Sequence, residues 1–233
     1  MKSPWATLRK DEELRQEILQ DVDRCMPDEP YFRQESTQIL MTDILFVYCK
    51  INEDIGYRQG MHEILAPVLW VVENDAIEKS KGGDPEDLMD EILSSEYIEH
   101  DSFTLFSLIM RTAKSFYELG EPEKQPSLSS PLPQIASPIE QRSKRIHEVM
   151  LARLDPELAT HLTQIEILPQ IFLIRWIRLL FGREFPFESL LPLWDVLFAE
   201  DPDLELIDYV CVGMLLRIRW QCKLKRIVRD KLS

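Results

Sequence analysis

The segment ILMTDILFVYCKI, residues Ile39–Ile51, repeats apolar side chains at intervals of three or four positions. This spacing places the apolar residues on one face of a helix, because an α-helix turns once in about 3.6 residues. The same spacing occurs on both sides of this segment, at Leu14, Ile18 and Val22 and at Ile64, Leu65, Val68, Leu69 and Val72. No segment alternates apolar and polar residues as a half-buried strand does. The sequence therefore predicts an all-α fold.

Further helices are expected from the same periodicity at 101–119, 140–153, 168–181, 187–199 and 204–222. Aspartate followed by proline is typical of a helix start, because the carboxylate caps the first turn and proline fits its first position. Two such pairs occur in the sequence, Asp84-Pro85 and Asp155-Pro156.

Five prolines and several serines fall between Glu121 and Pro138, which predicts a loop because proline lacks a backbone donor. We therefore expect one two-lobed helical domain over residues 1–233. It comprises an N-terminal lobe at 1–120, an insertion loop at 121–138, a C-terminal lobe at 139–219 and a basic tail at 220–233.

Composition excludes several classes of function. The 233 residues carry 27 Lys and Arg against 41 Asp and Glu, a net charge of −14, which argues against nucleic acid as a partner. The N-terminus lacks the apolar stretch of a secretory signal, and no apolar run reaches the roughly 20 residues of a transmembrane helix. Four scattered cysteines form no Cys-x-x-Cys pair and are expected to be buried thiols. We expect a soluble, cytoplasmic protein.

Motifs of a self-contained active site are missing from the sequence. It contains no phosphate-binding P-loop, no Gly-x-Gly-x-x-Gly and no Gly-x-Ser-x-Gly. His62-Glu63 begins like a zinc-protease motif, but Ala66 stands where the second histidine would be, so no metal site is predicted. The chain has no cofactor motif of its own and can still supply groups to the active site of another protein.

Two short segments are suited to that role. In Ile18-x-x-Asp21-x-x-Arg24, the carboxylate and guanidinium are three residues apart on a helix, so Asp21 can orient Arg24. Pro27 ends this helix and leaves Arg24 near its tip. The second segment is GYRQGM, residues 56–61, in which flanking glycines favour a turn that exposes Gln59 above Tyr57. Taken singly, the first is more typical of a surface salt bridge and the second of a polar connection between helices.

Together the two segments resemble the TBC domain family of Rab GTPase-activating proteins. The resemblance continues in RWIRLLFGREF, residues 175–185, and in Leu193-Trp194-Asp195. Trp176, Phe181, Phe185 and Trp194 in these blocks are expected to pack in the core, while Arg183 and Glu184 either form ion pairs or line a groove. Residues 61–67 and 97–101 are similar to one endosomal member, associated with retromer and a late-endosomal Rab.

The resemblance implies that the chain supplies catalytic groups in trans to the active site of a Rab GTPase. It implies that Arg24 is an arginine finger, that Gln59 is a glutamine finger orienting the attacking water, and that Asp21 and Tyr57 support them. Arg58 and His62 flank Gln59 and either contact the Rab or are simply exposed. GTP and Mg²⁺ belong to the partner, so the chain needs no cofactor of its own.

The expected role is regulation of endosomal trafficking and autophagy, peripherally on endosomal membranes. One alternative is a non-catalytic module that binds a Rab, retromer or another endosomal coat, with 121–138 as its partner-binding loop. Another is a membrane-surface adaptor acting through the basic residues of 214–233. Because the start lacks the family's Arg-x-x-x-Trp segment and the residues from Trp220 onward do not resemble its continuation, we expect a domain truncated at both ends.

Overall fold

The computed structural model describes residues 4–78, 88–118, 136–201 and 203–220. Within these ranges the chain is helical and has no β-strand, apart from an isolated bridge between Ile77 and Ser94. The predicted all-α class is confirmed. The chain divides into two compact units, Met1–Lys114 and Ser115–Ser233.

The first unit contains five α-helices among its described residues. They are α1 (Pro4–Val22), α2 (Glu35–Ile51), α3 (Met61–Asn74), α4 (Leu88–Ile92) and α5 (Ile98–Ala113), with short 3₁₀ turns at Pro30–Arg33 and Ser95–Tyr97. Helix α2 packs against α1, α3 and α5, and α3 also packs against α5. Apolar residues that the periodicity predicted meet there, including Ile18, Val22, Ile44, Ile64, Leu65 and Leu69.

The second unit begins within the 3₁₀ turn at Lys114–Phe116, and its described residues form helices joined by turns. Its helices are α6 (Pro138–Lys144), a π-helical stretch (Arg145–Leu151), α7 (Ala152–Leu154), α8 (Pro156–Gln164), α9 (Gln170–Arg178), α10 (Phe187–Glu200) and α11 (Leu206–Arg217). The carboxylate of Asp155 accepts a hydrogen bond from the backbone N–H of Leu158 at 3.0 Å, which confirms the predicted helix start. The other predicted start, Asp84-Pro85, lies outside the described residues.

Most of the predicted insertion loop and basic tail lies outside the described residues, which omit 119–135 and 221–233. Within the described part, Pro138 already begins α6, and the unit boundary falls at Lys114 and Ser115. Residues after this boundary belong to the second unit, since the hydroxyl of Tyr117 donates to the carbonyl oxygen of Arg178 at 2.9 Å.

Two further expectations, on the cysteines and on membrane-spanning helices, concern the described residues. Three cysteines that form no disulfide, Cys25, Cys49 and Cys211, are buried, as expected. Among the helices described, none combines the length and the apolar character needed to cross a membrane.

Candidate functional site

The C-terminal end of α1 carries the first candidate residue, Arg24. Ile18 and Val22 are fully buried, and Asp21 lies on the same inward face with its side chain only 7% exposed. The helix ends at Val22, and Arg24 follows in a turn with its side chain 55% exposed. Its Nη2 forms an ion pair with Oδ1 of Asp21. Arg24 therefore extends into solvent from the end of a helix while one of its nitrogens is held.

A residue that sequence reasoning missed, Arg33, supports this turn. Its two terminal nitrogens donate hydrogen bonds to the backbone oxygens of Asp23 and Cys25, on either side of Arg24. Arg33 ends the 3₁₀ turn at Pro30–Arg33. Because any residue type offers a backbone carbonyl, no side-chain motif in the sequence could have indicated this contact.

The second candidate segment connects α2 to α3. Gly56 and Gly60 both have positive φ, +59° and +106°, a conformation that favours glycine. The backbone N–H of Met61 donates to the carbonyl oxygen of Arg58 at 3.1 Å and closes a turn. Arg58 and Gln59 are exposed on this turn, as predicted, and α3 begins directly after it.

Tyr57 joins the two segments beneath their exposed side chains. It is buried, and its hydroxyl donates to Oδ2 of Asp21 at 2.9 Å. Asp21 therefore uses one carboxylate oxygen for Arg24 and the other for Tyr57. One buried carboxylate therefore contacts both the arginine turn and the residue beneath the glutamine turn, while the supporting roles of Asp21 and Tyr57 stay predictions.

His62 requires a correction. The sequence left it either as a contact for the partner or as simply exposed, but it is only 1% exposed. Gly60 caps the start of α3 directly after the exposed turn, and every residue from Met61 to Leu69 is buried, so this part of the helix has no solvent-facing side. The Nδ1 of His62 lies 3.1 Å from the hydroxyl oxygen of Tyr57. His62 thus packs beneath the site and does not face a partner.

Burial also brings His62 next to two other residues whose side chains can bind metals. One ligand atom from each of Cys25, His62 and Glu63 lies within 4.8 Å of the others. The local sequence around His62 does not indicate this group, because Cys25 comes from a separate segment of the chain.

The other family-like blocks lie in the second unit and have structural roles. Trp176, Phe181 and Trp194 are buried, as predicted, while Phe185 is half-buried with its ring edge-on to Phe181. The indole N–H of Trp194 donates to the carbonyl oxygen of Leu180 at 2.9 Å. In the block at residues 175–185, Nη2 of Arg175 and Oε1 of Glu184 form an ion pair at 2.7 Å, which is one of the two alternatives predicted for Glu184.

The Rab-GTPase-TBC domain family matches residues 2–223 of this sequence, and the chain belongs to that family. The match covers both candidate segments and the blocks of the second unit.

Among curated relatives, TBC1 domain family member 5 of Homo sapiens is 41% identical over 93% of this chain. TBC1 domain family member 5 homolog B of Dictyostelium discoideum is 30% identical over 93% of the chain. The chain spans only 29% and 31% of the lengths of these relatives. The crystal structure of the Ypt/Rab-GAP domain of Gyp1p has the same fold, with a TM-score of 0.73 and 21% identity, over 91% of this chain and 63% of that one.

Proposed function

We propose that this chain accelerates GTP hydrolysis by a Rab GTPase and supplies Arg24 and Gln59 to the partner's active site. The observation that carries the proposal is the shared carboxylate of Asp21, which binds Arg24 through one oxygen and Tyr57 through the other. An exposed guanidinium and an exposed carboxamide, on two turns tied together from beneath, are suited to reaching a substrate held by another protein.

The proposed chemistry is electrostatic stabilisation and positioning of water. Negative charge spreads over the transferred phosphoryl group in the transition state, and a guanidinium placed there stabilises it. We propose this role for Arg24, while Gln59 orients the attacking water. An arginine finger typically contributes about 10³–10⁵ in rate, or roughly 4–7 kcal/mol. The partner would hold GTP and Mg²⁺.

We propose further that the Rab is an endosomal one and that the chain acts peripherally on endosomal membranes. The support is the similarity of residues 61–67 and 97–101 to an endosomal family member, together with 41% identity to TBC1 domain family member 5. Retromer or another endosomal coat is the proposed means of recruitment.

Single-turnover GTP hydrolysis by a panel of purified Rabs tests the catalytic proposal. We expect one Rab to be accelerated, and Arg24→Ala and Gln59→Ala each to remove most of that acceleration. Arg24→Lys should restore little, because lysine keeps the charge but not the planar fork of donors. Arg9→Ala is the matched control, since Arg9 is an exposed arginine on the same helix, far along the chain from the turn.

The non-catalytic alternative predicts a different result in the same experiment. A folded chain that binds a Rab but accelerates none would refute catalysis and support an interaction module. Acceleration that survives Arg24→Ala and Gln59→Ala would refute the two proposed roles while leaving GTPase activation itself intact.

A further inference from the structure

Beneath the proposed site lies a compact group of three buried side chains with metal-ligating atoms. Cys25 is fully buried, and His62 and Glu63 are each 1% exposed. One ligand atom from each residue lies within 4.8 Å of the other two. Cys25 comes from the turn after α1, whereas His62 and Glu63 lie in the first turn of α3. The fold therefore brings together ligands from two separate elements.

The hydrogen bonds around His62 determine which ring nitrogen is available. The hydroxyl of Tyr57 donates its hydrogen to Asp21, so its oxygen accepts from the histidine, whose Nδ1 lies 3.1 Å away. Nδ1 therefore carries the proton in the neutral ring, and Nε2 has the lone pair. Within the part of the chain that the structure describes, this buried Nε2 makes no hydrogen bond. It lies 3.5 Å from Oε1 of Glu63.

We propose that Cys25, His62 and Glu63 bind one Zn²⁺ ion through Sγ, Nε2 and a carboxylate oxygen. Thiolate, imidazole and carboxylate are the ligands that zinc takes in proteins, at about 2.0–2.3 Å, whereas Mg²⁺ and Ca²⁺ prefer oxygen alone. Three protein ligands leave the fourth tetrahedral position for a water molecule. On binding, the thiol of Cys25 loses its proton to the buffer, and the sulfur bonds to the metal.

Charge balance favours a divalent ion in this position. The thiolate of Cys25 and the carboxylate of Glu63 together carry two negative charges, and the neutral ring of His62 adds none. Zn²⁺ makes the group neutral, which matters because an uncompensated charge is costly to bury. The chain Asp21–Tyr57–His62 also resembles the hydrogen-bonded partners that fix the orientation of metal-binding histidines.

The ion would tie the end of α1 to the start of α3. Cys25 directly follows Arg24, so a bond from its sulfur to a metal held by α3 would fix the backbone next to the proposed arginine finger. The proposal rests on this group alone, and it holds or fails independently of GTPase activation.

Metal content and a cobalt spectrum test the proposal on untagged protein. We expect one zinc per chain by mass spectrometry of the metal, and a rise in Tm on adding Zn²⁺ that Mg²⁺ does not produce. Co²⁺ should give the visible bands of tetrahedral coordination and a thiolate-to-metal charge-transfer band. Cys25→Ser should abolish that band and weaken zinc binding by more than the roughly 10–100-fold typical of losing an outer partner. Cys49→Ser, which changes another buried cysteine of the same unit, should affect neither.

Three outcomes would overturn the proposal. The first is folded wild-type protein that takes up no zinc above background. The second is one zinc per chain whose affinity is unchanged by Cys25→Ser or Glu63→Gln, since the metal would then lie elsewhere. The third is a cobalt complex without a thiolate band, a result obtained on the wild-type chain and therefore unaffected by any folding defect of a variant.

Discussion

Removing the hydroxyl of Tyr57 tests whether the two candidate segments are joined through Asp21. Tyr57→Phe keeps the ring and deletes the donor that lies 2.9 Å from Oδ2 of Asp21. That carboxylate is only 7% exposed, so water cannot readily replace the lost donor. Because a hydrogen bond to a charged group contributes about 1.5–3 kcal/mol, we expect the free energy of unfolding to fall by about 2 kcal/mol.

Urea unfolding followed by circular dichroism measures this loss. With an m-value of about 2 kcal/mol/M, a loss of about 2 kcal/mol lowers the midpoint by about 1 M urea at unchanged slope. Tyr31→Phe is the matched control, because the hydroxyl of Tyr31 donates to an exposed carboxylate, Glu73, where water can take its place. Its midpoint should move by much less.

A double-mutant cycle identifies the acceptor. In the Asp21→Ala background the hydroxyl has lost its carboxylate but keeps its contact with Nδ1 of His62, so the cost of Tyr57→Phe should fall by the share that is due to Asp21. An equal cost in both backgrounds would show that the hydroxyl acts on another group, such as His62, and would refute the shared carboxylate as the link. An effect of Tyr57→Phe no larger than that of Tyr31→Phe would refute it directly.

Three further outcomes are expected. Arg33→Gln should slow single-turnover GTP hydrolysis more than it weakens Rab binding in a titration, because Arg33 holds the turn that carries Arg24. Cys49 should resist iodoacetamide in the folded chain at about pH 8 and react after unfolding, as followed by peptide mass spectrometry, because burial raises the pKa of its thiol to about 12. Burial lowers the pKa of His147, against an opposing effect of Glu148, so the unfolded chain binds the proton more tightly. Stability in thermal unfolding should therefore fall as pH drops below about 6.5, and less so in His147→Gln.

Local patterns predicted the helices because burial on one face imposes the helical period on the sequence. The helix ends were harder to predict. The helix expected at 101–119 ends at Ala113, and the one expected at 204–222 runs from Leu206 to Arg217. Contacts distant in sequence, such as the bond from Tyr117 to Arg178, hold the chain where the first of these helices ends. Such contacts leave no periodic signal.

Around the site, too, the local sequence predicts the positions of some side chains and not of others. Gln59 was predicted to be exposed because two glycines frame a turn, and the backbone confirms that turn. The position of His62 could not be predicted, because its burial depends on the helices that surround the start of α3. Its contact with Cys25 depends on the path of the chain after α1. These features follow from the packing of separate elements and not from any local motif.

The carboxylate of Asp21 explains why the two segments indicate a site when they occur together, although each of them alone is ordinary. The spacing Ile-x-x-Asp places the carboxylate three residues after buried Ile18, on the inward face of the helix. A carboxylate one residue earlier, at the position of Gln20, would face solvent, because that position is exposed. Arg24 lies three residues after Asp21 and beyond the last helical residue, Val22. Its guanidinium can therefore reach Asp21 and still remain half exposed. The spacing is therefore a geometric requirement, because the same carboxylate must be buried for one partner and reachable by the other.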